Sequence, residues 1–162
     1  MIKQYPLTLN LKQKKVLVVG AGRVALRIIQ GLLGTGALVT VVAPKVMPEI
    51  AGLSDINVVE RAFEKTDTQQ AHIVFAATDD PEVNEEVGKA VEQWQWFHDT
   101  SFAESSSFDL PVVTQVDDLV VSIISETRDT FKERFFKEKI TEFLQLQNIR
   151  LRNNQIRNTV GL

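Results

Sequence analysis

Two glycines and an alanine near the start of the chain could hold the phosphates of a dinucleotide. Gly20, Gly22 and Ala25 fit the pattern G-x-G-x-x-G/A. The first glycine allows a tight turn, the second lets the main chain approach a pyrophosphate, and the small third residue lets a helix lie on a strand. Arg23 and Val24 would begin that helix, whose free amides and positive dipole end attract phosphate. The pattern predicts a dinucleotide-binding loop.

The segment that would hold the adenine ribose departs from the usual pattern. An acidic residue about 20 positions beyond the glycines normally binds the ribose of NAD, and no acid stands there in this chain. The second apolar run ends instead in Pro44 and Lys45. Backbone groups near Pro44 could contact the ribose, while Lys45 could meet a 2′-phosphate or simply lie in solvent. The choice between NAD and NADP stays open on these residues alone.

Polar residues follow two later apolar runs, where ligands lie in open parallel sheets. Thr78 is predicted to line the crevice on the nicotinamide side. His98 and Asp99 are predicted to end the next strand. A carboxylate there could exchange a proton beside a hydride-transfer centre, and a histidine could titrate near neutral pH. The alternative is structural, because an aspartate at a strand end commonly accepts hydrogen bonds from loop amides.

The elements that must position these residues alternate between strands and helices. Short apolar runs without polar alternation indicate strands buried on both faces of a parallel sheet. Apolar residues at helical spacing follow two of them. The predicted strands are 15–19, 38–42, 56–59, 73–77 and 96–98, and the predicted helices run from Arg23 to about Gly34 and from Pro81 to about Gln93. This order predicts an α/β fold with a Rossmann-like, doubly wound parallel sheet.

The chain changes character after Asp99. Two β-rich runs, 112–116 and 119–124, flank the turn signal Asp117-Asp118 and predict a hairpin. A long helix is predicted from about Thr130 to Leu146, followed by a polar terminal segment. From Ser125 onward the chain holds eight basic and five acidic residues. That excess could attract an anionic small molecule, or the charges could pair with one another along a solvated helix.

Composition excludes several classes of function. The chain has 162 residues, a mass of 18.2 kDa and a net charge of −3, so nucleic acid is not an expected partner. It has no cysteine and two histidines, which excludes disulfides and thiolate metal ligands and makes a histidine-only metal site implausible, so no metal site is expected. The sequence shows neither a signal peptide nor an apolar run long enough to span a membrane. We therefore expect no membrane partner and a cytoplasmic location.

Several segments together resemble the precorrin-2 dehydrogenases, which form the dehydrogenase and ferrochelatase module of siroheme synthases. The resemblance covers roughly residues 1 to 140 and is most specific over the first 85. The segments that carry it are Tyr5-Pro6-Leu7, Lys15 to Ala25, Gly36 to Pro44, and Ala76 to Asn84.

This resemblance implies an NAD-dependent oxidation of precorrin-2 to sirohydrochlorin in siroheme or cobalamin biosynthesis. It also implies a Rossmann NAD-binding domain over residues 1–111, a dimerisation region over 112–140 and a C-terminal helical tail over 141–162. The hairpin would pair two copies of the chain into a homodimer. The substrate is an anionic tetrapyrrole, so the basic C-terminal part would have a role in binding it.

The second half departs from the family pattern at two places. Relatives carry Asn-x-x-Asp after the fifth strand, and ungapped alignment places Ser101 at that aspartate, with Asp99 as the nearest substitute. Relatives often carry Ser-Ser/Thr-Gly-Gly-x-Ser-Pro later on, of which this chain keeps Ser125. The resemblance therefore makes Asp99 the candidate for proton handling and places His98, Ser101 and Ser125 near the substrate.

Two other functions are compatible with these departures. The first is a sensor module that binds the nucleotide without catalysis, because the altered segments have lost the chemistry. The second is insertion of Fe²⁺ or Co²⁺ into sirohydrochlorin, for which Asp99 and His98 are the obvious groups to take the pyrrole protons.

Overall fold

Five strands form one parallel sheet in the computed structural model, which describes residues 4–160 and the side chains of residues 4–148. The strands are β1 Lys15–Val19, β2 Leu38–Val42, β3 Ile56–Val59, β4 Ile73–Ala76 and β5 Trp96–Asp99. Their order in the sheet is β3-β2-β1-β4-β5. Strands β1 and β4 are almost completely buried because helices or loops cover both of their faces, which explains their uninterrupted apolar sequences.

Helices cover the two faces of this sheet. The larger ones are α1 Arg23–Leu32 and α3 Pro81–Ala90, and a short α2 spans Pro48–Ala51. Ile29 of α1 packs into one apolar cluster with Val16 and Val18, while Val87 of α3 packs into a second cluster on the opposite face. The predicted doubly wound α/β architecture is confirmed.

The carboxyl ends of the strands finish level with one another. Val19 at the end of β1 pairs with Val42 of β2 and with Ala76 of β4, and Ala76 pairs in turn with Asp99 of β5. The chain builds outward from β1 through β2 to β3, then returns to place β4 on the other side of β1. The switch in strand order therefore falls between β1 and β4, which is where such sheets bind ligands.

Serine side chains cover the free edge of β5. The amide of Phe97 donates to Ser107 Oγ at 2.7 Å, and the amide of Asp99 donates to Ser106 Oγ at 2.9 Å. The amide of Ser107 returns a bond to the Phe97 carbonyl at 2.8 Å. These bonds satisfy backbone groups that would otherwise be open to another strand, so this serine-rich loop closes the sheet.

The C-terminal part contains a hairpin and one long helix. Strands β6 Val112–Val116 and β7 Leu119–Ile123 pair antiparallel, and α4 spans Thr130–Val160. The prediction that this helix ends near Leu146 is wrong, since the helix continues to Val160, in agreement with the C-terminal helical tail that the resemblance implies. The apolar periodicity does fade there, but no glycine or proline lies between Thr130 and Val160, so nothing in the backbone breaks the helix.

Contacts divide the chain into two compact units. The larger is Thr8–Asp109, and the smaller contains the hairpin, α4 and the N-terminal residues before Thr8. Every buried hydrophobic side chain among the described residues lies between Val16 and Phe97, within the larger unit. In the part of the chain that the structure covers, no helix has the length and apolar character needed to cross a membrane.

Candidate functional site

The glycine loop begins at the end of β1, beside the end of β4. Gly20 has a φ of +107°, and its amide donates to the Val42 carbonyl at 2.8 Å. A Cβ built on Gly20 would lie 2.3 Å from the Ala77 carbonyl oxygen and 2.9 Å from the Thr78 nitrogen. Both the backbone angle and the lack of space require glycine. The same geometry places Thr78 beside the glycine loop, and its contact with the nicotinamide half of a cofactor stays a prediction.

The start of α1 offers free amides to a ligand. Gly22 is the N-cap of the helix, no side chain caps it, and its first turn contains no acidic residue. A Cβ built on Gly22 would meet nothing within 4 Å. Arg23 and Val24 are exposed at this helix start, whereas Ala25 is fully buried against the sheet. An open cradle with unsatisfied amides at the positive end of a helix dipole fits the pyrophosphate of a dinucleotide.

The residues predicted near the ribose lie in the loop that follows β2. Pro44 and Lys45 are both exposed. The amide of Ala43, just before them, donates to the Val59 carbonyl at 3.3 Å, so the loop leaves the sheet beside the end of β3. The two residues are available to a ligand, and their contact with a ribose or a 2′-phosphate stays a prediction.

A buried asparagine connects Thr78 to the next loop. Asn84, in the first turn of α3, is completely buried. Its Oδ1 accepts from the Thr78 amide at 3.2 Å and from the Thr78 hydroxyl at 2.7 Å, and its Nδ2 donates to Ser101 Oγ at 3.1 Å. Sequence reasoning did not select Asn84 as a site residue. Its one signal was a polar residue on the inward face of a helix, four positions from Asp80.

Asp99 is the centre of the loop that follows β5. The residue is only 5% exposed. Its Oδ1 accepts from the Ser101 amide at 2.8 Å, the Ser101 hydroxyl at 2.6 Å and the Phe102 amide at 3.1 Å. Its Oδ2 accepts from the Ser105 hydroxyl at 3.2 Å.

These hydrogen bonds govern the charge of the carboxyl. Burial raises the pKa of Asp99, but the bonds from Ser101, Phe102 and Ser105 together outweigh burial and hold its pKa below the ordinary value. Asp99 is therefore ionised at neutral pH and orders the loop around it. A role in proton transfer stays a prediction.

His98 and Asp99 do not meet, because neighbouring residues of a strand point to opposite faces of the sheet. The His98 ring packs among Phe75 and Phe108 on the α1 side. Its Nδ1 lies 2.9 Å from the Phe108 carbonyl oxygen, so Nδ1 carries the proton. The Asp99 carboxylate is instead joined through Ser101 to Asn84 of α3. The two residues therefore cannot act as a pair, and a contact of His98 with substrate stays a prediction.

Ser125 belongs to the smaller unit. Its amide donates to Glu133 Oε1 at 2.7 Å, and its hydroxyl lies 2.8 Å from the Thr127 hydroxyl. Glu133 is buried, so the bond fixes the segment that follows β7 against α4. Arg128 in the same segment has a φ of +53°, a conformation that glycine adopts more easily. The structure thus gives Ser125 a local role and leaves its contact with substrate as a prediction.

The described residues offer no ready metal site. Among the side chains of residues 4–148, no three or more histidine, aspartate or glutamate groups lie close enough together to hold an ion.

Comparison with protein families identifies the larger unit. Residues 7–112 match the model of a family of NAD(P)-binding domains. This range includes the glycine loop, Thr78 and the Asp99 loop.

Named relatives and a solved structure agree with that match. The chain is 33% identical over 121 residues to "Precorrin-2 dehydrogenase" of Bacillus subtilis (strain 168), covering 73% of this chain and 75% of that protein. It is 37% identical over 145 residues to "Siroheme synthase" of Baumannia cicadellinicola subsp. Homalodisca coagulata, covering 87% of this chain but only 31% of that longer protein. The structure titled "SirC, precorrin-2 dehydrogenase" superposes with a TM-score of 0.79 at 28% identity, over 86% of this chain and 70% of that one.

Two alanine substitutions in the glycine loop should have opposite effects. Gly22→Ala should leave the free energy of unfolding within about 1 kcal/mol of the unmodified value, because its backbone angles suit alanine. It should nevertheless weaken NAD binding about tenfold or more, because the methyl group enters the phosphate cradle. Gly20→Ala should lower the free energy of unfolding by about 3 kcal/mol or more through strain and backbone overlap. Urea unfolding and NAD titration measure the two quantities; a Gly22→Ala variant that binds NAD normally would remove the loop from the site.

The anchoring role of Asp99 predicts a pH-dependent difference between the unmodified protein and Asp99→Asn. The pKa of Asp99 is lowered on folding, so its contribution to stability is present above the ordinary value of 3.8 and disappears as pH falls through the folded value. We expect Asp99→Asn to be less stable by about 1–3 kcal/mol at pH 7. The difference should narrow below pH 3.8. The pKa of Asp67 is also lowered, but Asp67 is present in both proteins, so its pH-dependent contribution cancels in the difference between them. Urea unfolding from pH 7 to pH 3 tests this, and a constant difference would refute it.

Proposed function

Because this chain belongs to the family of NAD(P)-binding proteins that includes precorrin-2 dehydrogenase, we propose that it oxidises precorrin-2 to sirohydrochlorin with NAD as hydride acceptor. The observation that carries the proposal is the junction of the open glycine loop with Thr78 at the switch point of the sheet. The chain spans less than a third of the siroheme synthase that it matches, so the proposal concerns the dehydrogenase step alone.

The chain's own residues would bind and orient the reactants. Gly22, Arg23 and Val24 would hold the pyrophosphate through backbone amides, and Gly20, whose own amide is bonded to Val42, would make the turn that exposes them. Pro44 and Lys45 would contact the adenosine ribose, whereas Thr78 would contact the nicotinamide half. When bound, NAD supplies a ring that accepts a hydride from carbon. Removing two hydrogens from precorrin-2 as a hydride and a proton balances the reaction, since the hydride reduces NAD and the proton passes to a base or to water.

Asp99 has two possible roles in this scheme. It could receive the proton, as the resemblance implies, or it could hold the loop that presents Ser101 to the substrate. A general base works best when its pKa lies near the working pH, whereas the hydrogen bonds to Asp99 keep its pKa low. These bonds favour the anchoring role. We propose His98, Ser101 and Ser125 as contacts of the substrate.

A sensor without catalysis is the second candidate, and one observation favours it. The resemblance implies that Ser101 stands where relatives carry an aspartate, and the nearest carboxylate, Asp99, accepts four hydrogen bonds. A sensor would bind NAD through the same glycine loop but would not turn over.

Anaerobic mixing of the purified protein with precorrin-2 and NAD separates the two functions. A dehydrogenase should form NADH, detected by its absorbance, faster than a protein-free control, and Gly22→Ala should lose most of that rate. Replacing NAD by NADP at the same concentration tests the preference for NAD. If the protein binds NAD but forms no NADH, the result would contradict the dehydrogenase function and support the sensor.

We further propose that the protein is a homodimer assembled through the smaller unit. The hairpin and α4 contain no fully buried hydrophobic side chain among the described residues, whereas Val120, Phe131 and Phe143 are exposed, Phe131 by 82%. A two-stranded hairpin is marginal by itself, and apolar surface of this kind usually marks a partner interface. A second copy that covers these side chains would supply the missing core.

Sedimentation should give about twice the chain mass of 18.2 kDa at micromolar concentration. The double variant Val120→Asp with Phe143→Glu should sediment as a monomer, because it places charges in the proposed interface. Leu38→Asp is the matched control, since Leu38 is similarly exposed but lies in the larger unit. A monomeric unmodified protein, or a control that dissociates equally, would contradict the proposed interface.

A further inference from the structure

Asn84 uses all its hydrogen-bonding capacity at the carboxyl edge of the sheet. Besides the two bonds that it accepts from Thr78 and the one that it donates to Ser101, its Nδ2 lies 3.3 Å from the Thr78 carbonyl oxygen. Burying an amide is costly unless each polar atom finds a partner, and here each does. The side chain thus joins the end of β4 to the loop after β5 through bonds that an apolar residue could not make.

The hydrogen bonds continue in one direction from Asn84 to Asp99. Ser101 Oγ accepts from Asn84 Nδ2 and donates to Asp99 Oδ1 at 2.6 Å. The Ser101 hydroxyl therefore has a fixed orientation, because Nδ2 can only donate and the ionised carboxylate can only accept. Ser101 itself is exposed, so a ligand can reach the residue although its hydroxyl is bonded to both Asn84 and Asp99.

We propose that Asn84 is a positioning residue that couples the cofactor side of the crevice, at Thr78, to the Ser101 and Asp99 loop on the substrate side. The inference rests on the proposed dehydrogenase function for its catalytic consequence, although the coupling itself is a property of this hydrogen-bonded group. The hydrogen bond that Asn84 donates to Ser101 connects α3 to the loop after β5. The bonds that Asn84 accepts from Thr78 hold the end of β4.

The substitution Asn84→Asp removes the donor bonds of this side chain and keeps its acceptor bonds. When ionised, the introduced carboxylate can still accept both bonds from Thr78, but it has no hydrogen to donate to Ser101 or to the Thr78 carbonyl. The single hydrogen of the Ser101 hydroxyl can then bond to either of two carboxylates, so the Ser101–Asp99 hydrogen bond is weakened. When protonated, the introduced carboxyl regains one donor, and burial beside Asp99 raises the pKa of such a group. Asp99 is the ionisable side chain in this hydrogen-bonded group, and the nearby Asp80 carboxylate is engaged with the Glu82 amide.

Gln95→Glu is the matched control. Gln95 is also a buried amide, and its Nε2 donates to the carbonyls of Thr68 and Ala71. It precedes β5 and therefore lies at the opposite edge of the sheet. The substitution makes the same chemical change at a comparable depth, so it reports the general cost of a buried acid.

The experiment measures kcat, NAD affinity and amide hydrogen exchange for both variants between pH 6 and pH 8. Asn84→Asp should lower kcat about tenfold or more at pH 8 and recover most of it at pH 6, with the Kd for NAD within about threefold of the unmodified value. At pH 8, the amides of Ser101 and Phe102 should exchange about tenfold faster in Asn84→Asp than in the unmodified protein. Gln95→Glu should show neither the loss of kcat that recovers at pH 6 nor faster exchange confined to the amides of Ser101 and Phe102.

The outcomes separate this proposal from the proposed function. If the unmodified protein does not turn over, the dehydrogenase function fails, and the exchange rates of Ser101 and Phe102 still decide the coupling. Unchanged exchange at these amides in Asn84→Asp would overturn the proposal. A loss of kcat that is the same at every pH and equal to that of Gln95→Glu would overturn it as well, since that is the effect of destabilisation alone.

Discussion

The backbone of Gly20 approaches the Ala77 carbonyl so closely that no side chain could stand between them. This contact sets the end of β1 level with the end of β4, turns the chain into α1, and brings Thr78 beside the glycine loop. The rest of the site follows from it, because Asn84 is aligned on Thr78 and in turn holds Ser101. A single residue without a side chain thus determines where the glycine loop, Thr78 and the Ser101 loop lie relative to one another within the larger unit.

Much of this arrangement can be predicted from local sequence. The glycine turn, the buried strands and the helix start at Pro81 each depend on a few neighbouring residues, and the structure confirms them, with Asp80 capping α3. Asn84 could not be found in this way, because its role depends on Ser101, seventeen residues away in the sequence and brought close by the pairing of β4 with β5. The end of α4 was missed for a different reason: apolar periodicity measures packing, whereas a polar helix can continue without it.

The strand that carries His98 and Asp99 shows the limit of reading neighbours as partners. Two chemically active residues in succession suggested a joint site, yet the alternation of a strand separates them. His98 packs with aromatic rings on one face, and Asp99 organises a loop on the other. The serines that follow have a similar explanation, because Ser106 and Ser107 satisfy the open backbone of an edge strand. The glycine loop, Thr78 and Ser101, at the carboxyl edge of the sheet, are left as the candidate site.

Binding of a dinucleotide at the glycine loop, across the carboxyl edge of the sheet, is the central claim. Amide nuclear magnetic resonance spectra recorded during an NAD titration test it most directly. We expect the largest shifts on residues 20–25 and on Thr78, with smaller ones on the Ser101 loop. Shifts confined to the opposite edge, around Lys15, His72 and Gln95, or no shifts at millimolar NAD, would contradict it.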